Sequence, residues 1–479
     1  MATPNPDWGA LRRSLDGELV LPGDDGYDAA RQVALRQFDE IRPRAVVLCE
    51  TTADVRAAVA FLRATGLRCV PRSGGHSNAG YTAGPGVVVD LSRMDRVELA
   101  DGVLRAEAGA QLVDVYDRTL RENLAVPAGW CATVALGGLA QGGGIGLECR
   151  AHGLTVDHVL SATVVLADGR VVECDAERHP DLFWALRGGG GGNFGIVTEF
   201  TFRPVPVPRD VVSYTLVWPW AVAEDVVDAW QRWAPDAPDE LAAVLNVGMP
   251  DAAEGRQPRL RAAGVWFGDP ADLPPLFDRL VERVGTEPAD STILPRSYRS
   301  ALMTWFDCDG FSVAECHTVG HNPLAKLSRY AFALARGNFV ESVLPREGVR
   351  ALLDAFDRGR CAGQARDLDL IAFGGAANRV PPDATAFAHR THRFYAGYST
   401  GMDPRVTDEG RRAGEQWIDG CFQALRRWGS GHAYQNFVDP KLPNWQHAYY
   451  GANYPRLRRV KAAYDPEGFF RLPQSIELP

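Results

Sequence analysis

Two rhythms of apolar and polar positions run along the chain. Between residues 45 and 203, short apolar runs alternate with stretches of helical spacing. Residues 45–49 read as a strand. Thr51 and Asp54 then precede apolar Val55, Val59 and Leu62. A capping residue, an acidic first turn and three-to-four spacing predict an amphipathic helix. Residues 69–71 and 87–91 read as strands, and Leu112–Leu120 as a helix. The runs 160–166 and Val171–Cys174 flank Asp168-Gly169 and predict a hairpin. Such alternation points to an α/β or α+β arrangement. The proline-rich stretch Arg203-Pro-Val-Pro-Val-Pro208 then suggests a boundary. Beyond it the texture changes. Strand-like runs at 211–217, 261–267, 368–373 and 393–398 mix with helical spacing at Ala223–Trp233 and Leu273–Val284. This pattern predicts a sheet covered by helices. A longer helix, 408–428, would place Ala413, Trp417, Cys421 and Leu425 on one face.

Composition narrows the function classes. Lys+Arg total 51 and Asp+Glu 60 among 479 residues, a net charge of −9. That balance argues against a nucleic-acid binder. No apolar run is long enough to predict a membrane-spanning helix. The opening stretch MATPNPDWGALRRSLDGELV has no apolar core behind its arginines, so neither a secretory nor a twin-arginine signal is expected. Nine dispersed cysteines without a CxxC pair predict neither a disulfide framework nor a zinc ribbon, and make the cytoplasm the default compartment. No metal site is expected. His317 and His321 lack an accompanying HExxH pattern, and His389 and His392 read as part of a solvated edge. Trp305-Phe306 is a candidate pocket lining, whereas Trp218, Trp220, Trp230 and Trp233 read as core.

Glycine concentrates in four stretches. Pro71-Arg72-Ser73-Gly74-Gly75-His76-Ser77 follows a strand, where successive amides can form an anion-binding nest. It is neither a Walker loop nor GxGxxG. Pro127–Gly146 carries Gly129, Gly137, Gly138, Gly142 and Gly146 around Cys131 and Thr133. Such a stretch lets backbone approach a ligand. The third is His152-Gly-Leu-Thr-Val-Asp157. The fourth is DLFWALRGGGGGNFGIV, which includes Gly195, Ile196 and Val197.

Together with YQNFVD (434–439), RLRRVKAAYDPEGFF and a final QSI, these stretches resemble the berberine-bridge-enzyme-like FAD-linked oxidases of the vanillyl-alcohol-oxidase / p-cresol-methylhydroxylase (PCMH) superfamily. The resemblance implies an α+β fold. A PCMH-type FAD-binding domain, 1–205 completed by 430–479, would join a substrate domain, 206–429, with a large antiparallel sheet covered by helices. It also implies covalent FAD, with His76 at the position bonding the 8α-methyl and Cys131 at the position bonding C6 of the ring. Residues 72–77 would cradle the pyrophosphate. Gly129, Thr133, the later glycines, Gly195, Ile196, Val197 and Asn453 would lie along the cofactor.

The same resemblance exposes a departure. The family's usual base is the second tyrosine of a Tyr-x-Asn-Tyr-x-Asp stretch, and Phe437 stands there. Tyr434 could serve, although on a strand it would face away from position 437. Another residue could serve: Tyr395, Tyr398, Asp307, Glu315 or His432. A third option is a substrate that needs no strong base. The expected activity is oxidation of a hydroxyl or lactol, dehydrogenation or oxidative cyclisation of a small or mid-sized metabolite, in secondary-metabolite tailoring. O2 would accept the electrons and give H2O2. A flavin-dependent oxygenase and a flavin-binding protein without turnover are the alternatives. The expected partners are a small organic substrate and O2, without nucleic acid or membrane, and the oligomeric state is open.

Overall fold

In the computed structural model, which describes residues 6–403 and 406–479, the period-two stretches of the middle region pair into one seven-stranded antiparallel sheet. The first five residues of the opening stretch lie outside the described residues. The sheet order is Asp290–Ser297, Asp210–Pro219, Arg259–Trp266, Leu241–Met249, Gln364–Ala372, Phe394–Met402 and Phe332–Val340. Successive side chains of a strand face opposite ways. In Gln364–Ala372, Leu368, Leu370 and Ala372 therefore join a helix-covered core, while Asp367, Asp369 and Ile371 face a cavity. The helices Ala223–Trp233, Leu273–Val284, Arg346–Asp357 and Asp408–Arg426 cover the first face, with Trp218, Trp230 and Trp233 buried beneath them. In the longest of these helices, Trp417, Cys421 and Leu425 are buried and Ala413 is half-buried.

The earlier part of the chain forms two smaller sheets. One is mixed: Glu18–Val20, Ala45–Leu48, Val87–Asp90 and Cys69–Arg72, with the last three strands parallel. The helix Thr52–Thr65 starts at a capping box, where Thr51 Oγ1 accepts from Asp54 N. The other sheet is antiparallel and contains the expected hairpin, Val159–Val165 with Val171–Cys174, turning at Gly169 with φ +84°. The proline-rich stretch is anchored, because Val205–Pro206 pairs with Leu124–Ala125.

Two devices join these layers. The carboxy-terminal segment is clasped by the glycine run: Lys461 Nζ donates to Asn193 O (2.6 Å) and Phe470 O (2.8 Å), and Ile476 N donates to Asn193 Oδ1 (2.9 Å). Arg150, 1% exposed, donates from Nε to Leu241 O, from Nη1 to Pro235 O and Phe373 O, and from Nη2 to Ala237 O and Pro238 O. It thereby pins the short helix Cys149–His152, just after the second glycine stretch, to the large sheet. Cys308 and Cys316 form a disulfide, of which the dispersed spacing gives no sign. Among the described residues no helix is long and apolar enough to cross a membrane.

Removing the Arg150 guanidinium strands several buried carbonyls at about 1–3 kcal/mol each. Arg150→Met is therefore expected to cost about 3 kcal/mol or more, read as a lower urea midpoint at unchanged slope. A midpoint within error of the parent's would remove Arg150 from the role of pin.

Candidate active site

A cavity of about 750 Å³ opens between the uncovered face of the large sheet and the loops carrying His76 and Cys131. Both residues line it, as do Trp130, Thr133, Trp305, Phe306, Asp307, Tyr330, Tyr395 and Phe437. His76 Nε2 lies 2.9 Å from Thr133 Oγ1, which leaves Nδ1 free. Burial pulls the His76 imidazole down to about 4, so it is neutral at neutral pH. The exposed surface of Cys131 opens onto the cavity. The protein massed around it, together with Asp307, pushes the thiol up to about 11.

The glycines divide into two kinds. A Cβ on Gly74 would come within 2.7 Å of Ala135 N, one on Gly137 within 2.8 Å of Ser73 Oγ, and one on Gly146 within 1.5 Å of Ala128 O. Gly142 and Gly195 are equally blocked, by Asn436 and by Val164. These positions fix close packing, and Gly129 meets only ordinary contacts. Gly138 has open space beyond it, and Gly191 faces it with only Gln141 Nε2 (3.6 Å) and Gly138 Cα (3.8 Å) nearby. Beside them Gln141 Oε1 is buried without a hydrogen-bond partner among the described residues. The amides of Gly74–Ser77 likewise donate to no described residue. Free amides in succession, open glycine backbone and an orphaned amide oxygen suit a flat group bearing phosphates.

Several expected contacts take other roles. The Arg72 guanidinium is buried against Asp90 and the carbonyls of Ala30, Arg31 and Gln32, so it holds the loop instead of reaching into the groove. Ser77 Oγ accepts from Tyr81 N (3.2 Å). The Ile196 and Val197 side chains are core, on opposite faces of their strand. Asn453 Nδ2 is spent on the carbonyls of Pro382, Thr385 and Ala386, so it supports that loop and makes no side-chain cap.

The candidate bases separate clearly. Tyr398 borders the cavity, but its ring packs on Trp417 under the helices and its hydroxyl donates to Leu352 O (2.9 Å), which takes the phenol out of the site. Strand parity is the reason: Tyr395 and Tyr398 are three apart and face opposite ways. Tyr434 lies in a turn, Phe437 N donating to Tyr434 O, so its ring sits 5.0 Å from that of Phe437. Its oxygen already accepts from Gly144 N (2.7 Å) and Asn436 Nδ2 (2.9 Å), and burial pushes the phenol up to about 12. It buttresses the glycine stretch. Glu315 is held by Lys326 and Ser312, and His432 lies outside the cavity lining. Tyr395 is in the cavity, 5.4 Å from the Phe437 ring, but burial drives its pKa far above the usual tyrosine range. Phe437, 37% exposed, brings no titratable group.

The sequence reading passed over the neighbouring carboxylates. Asp367 and Asp369 face the cavity from one strand, and Asn246 Nδ2 bridges them at 3.0 and 2.8 Å. Burial, then the like charge of Asp367, raises Asp369 to about 6. Arg261 nearby opposes the shift. The signal was present: two acids at i and i+2 alternate with leucines in the stretch Asp367-Leu-Asp369-Leu-Ile-Ala372. Perturbed carboxyls in a cleft mark a candidate for proton transfer.

Known proteins bear on what fills the groove. A family model described as "FAD binding domain" matches residues 43–175, and one described as "Berberine and berberine like" matches residues 433–477. The FAD-linked oxidoreductase YgaK of Bacillus subtilis (strain 168) is 33% identical over 476 residues, covering 97% of this chain and 98% of its own. Physcomitrella patens BBE-like 1 has the same fold at a TM-score of 0.87, with 26% identity over 98% of this chain and 99% of that one. The glucooligosaccharide oxidase of Acremonium strictum, solved for the roles of its 6-S-cysteinyl, 8α-N1-histidyl FAD, gives 0.86 and 27% over 98% of each chain. Enzymes of this kind are FAD-dependent oxidoreductases, and the chain belongs to the berberine-bridge-enzyme-like FAD-linked oxidases of the PCMH superfamily.

Proposed function

We propose that this enzyme oxidises a hydroxyl or lactol carbon of a small carbohydrate-like metabolite, using FAD, with O2 as final acceptor and H2O2 as co-product. The observation that carries the reading is the Asp367–Asn246–Asp369 group on the cavity face beside Phe437. Bound FAD supplies the hydride acceptor and returns the electrons to O2. Residues 1–205 with 430–479 serve the cofactor, and 206–429 serve the substrate.

His76 and Cys131 would hold the ring by two covalent bonds. Thr133 engages Nε2 of the neutral His76, and in the tautomer whose Nε2 donates to Thr133 Oγ1 the lone pair lies at Nδ1. The amides of Gly74–Ser77 and the open backbone at Gly138 and Gly191 suit the pyrophosphate. Asp369 takes the hydroxyl proton in place of the missing tyrosine. Asn246 occupies its Oδ1 and leaves Oδ2 for the substrate. Burial, and after it the charge of Asp367, keeps Asp369 near the pKa at which a carboxylate is both ionised and basic at neutral pH. The rings of Trp130 and Trp305, 5.6 Å apart, offer apolar faces for a sugar, while Asn246, Arg261 and the two aspartates offer partners for its hydroxyls. That polar lining favours a sugar among the small or mid-sized metabolites expected from sequence.

Digestion of the denatured protein is expected to yield one flavin that cross-links a peptide containing His76 to a peptide containing Cys131. Cys131→Ala should keep only the first link. Flavin that washes off the parent protein would end the covalent reading. For the base, the sign follows from the shift. Asp369 acts when deprotonated, so kcat/KM should fall as pH drops below about 6. Asp369→Asn should lower kcat by roughly 10²–10⁴-fold and abolish that acidic limb. An unchanged limb in the variant would assign the proton to another group.

A further inference from the structure

Four imidazoles and a carboxylate gather beyond the end of the strand Phe332–Val340, on residues that do not line the cavity. Glu341 follows that strand. His389 and His392 precede Phe394–Met402, His432 precedes the Tyr434–Phe437 turn, and His447 lies in the helix Trp445–Tyr450. The sequence suggests a solvated edge at His389 and His392, yet they are 0% and 2% exposed. The apolar rings of Phe339 and Phe387 exclude water there, with Phe339 4.7 Å from each of the two imidazoles.

Neither ring nitrogen of His392 has a hydrogen-bond partner among the described residues, and His432 Nδ1 has none. Both nitrogens of His389 are also unpartnered. His392 Nε2 lies 3.3 Å from Glu341 Oε1, close but outside hydrogen-bond geometry. Buried polar atoms are partnered in the great majority of cases, and each exception is costly. Several such atoms converging on one point call for a shared partner.

We propose that Glu341, His392 and His432 bind one divalent zinc-class ion. Their ligand atoms all lie within 4.8 Å of one another. The 3.3 Å between His392 and Glu341 is close to the roughly 3.4 Å edge of a tetrahedron with bonds of about 2.1 Å. Two imidazoles and a carboxylate form an established zinc donor set, and water completes the fourth position on the exposed Glu341 side. Glu341 also provides the access route from solvent. The ion would tie the end of the large sheet to the loop before Phe394 and to the segment that carries Asn436 and Phe437. His432 O already accepts from Phe339 N (2.7 Å), so these elements are in register for it. The ligands come from positions 341, 392 and 432, so no motif spacing reveals them.

The test uses untagged, full-length flavoprotein, dialysed against a chelator and titrated with zinc chloride by calorimetry. Bound metal is then counted by mass spectrometry. One zinc per chain is expected. His392→Gln and His432→Gln should each weaken binding by roughly tenfold or more, as should Glu341→Gln, whose exposed side chain removes no core packing. Absence of saturable binding in the parent overturns the proposal. So does zinc held equally well by the Glu341→Gln protein, which remains informative if a histidine variant fails to fold.

Discussion

Because neighbouring residues of a strand point to opposite faces, the pleat of the seven-stranded sheet determines which side chains can reach substrate at all. Leu368, Leu370, Ala396 and Tyr398 supply the core against the helices, while Asp367, Asp369, Tyr395 and Gly397 fall to the cavity. A slip of one residue in either strand would exchange these sets and bury carboxylates under the helices. Register is held on both sides, since Gln364–Ala372 pairs along its length with Phe394–Met402 and over Arg366–Ile371 with Leu241–Met249. The chemistry of the cavity is therefore a consequence of how the apolar face packs.

That arrangement carries an electrostatic cost. Burial disfavours both charges and raises both carboxyls, and the charge of Asp367 raises Asp369 further. Asn246 and Arg261 offset part of this, the first by donating to each carboxylate and the second by charge. A stability-optimised sheet would place Val or Thr at 367 and 369. Perturbed acids facing a cavity are a place where local stability has been given up, which is the mark of a candidate site for proton transfer.

Much of the fold was legible because helix signals were strong. Leu112–Leu120, Ala223–Trp233 and Leu273–Val284 end where their spacing ends. Ala and Gly blunt the strand signal in Leu241–Met249 and Phe332–Val340, and polar residues and a proline blunt it in Asp290–Ser297, so three strands of the large sheet were not. His76 and Cys131 were singled out through the family resemblance that their glycine-rich stretches help to carry, and both line the cavity. Asp369 lay inside a run read as a strand, yet its face was not followed. The same parity would have separated Tyr395 from Tyr398. Tyr434 required knowing that residues 434–437 turn, and the histidine cluster required knowing which distant segments meet. Both are tertiary facts that periodicity does not carry.

The glycine stretches show why the two ends of the chain must meet before the groove exists. Space beyond Gly142 is filled by Asn436, space beyond Gly143 by Phe387 and Tyr434, and space beyond Gly188 by the Phe387 backbone. Gln435 Nε2 donates to Gly188 O, and Asn436 Nδ2 to Leu139 O. Glycine gives these loops freedom that they would otherwise keep at an entropic cost. The later segments remove that freedom by packing against the bare Cα atoms. A groove of early residues is thus shaped by late ones, and its open positions, Gly138 and Gly191, are those that the late segments leave uncovered. Long-range contacts of this kind form late in folding, since the loop between them must close first. The cofactor-binding surface is complete only once residues near 436 are in place.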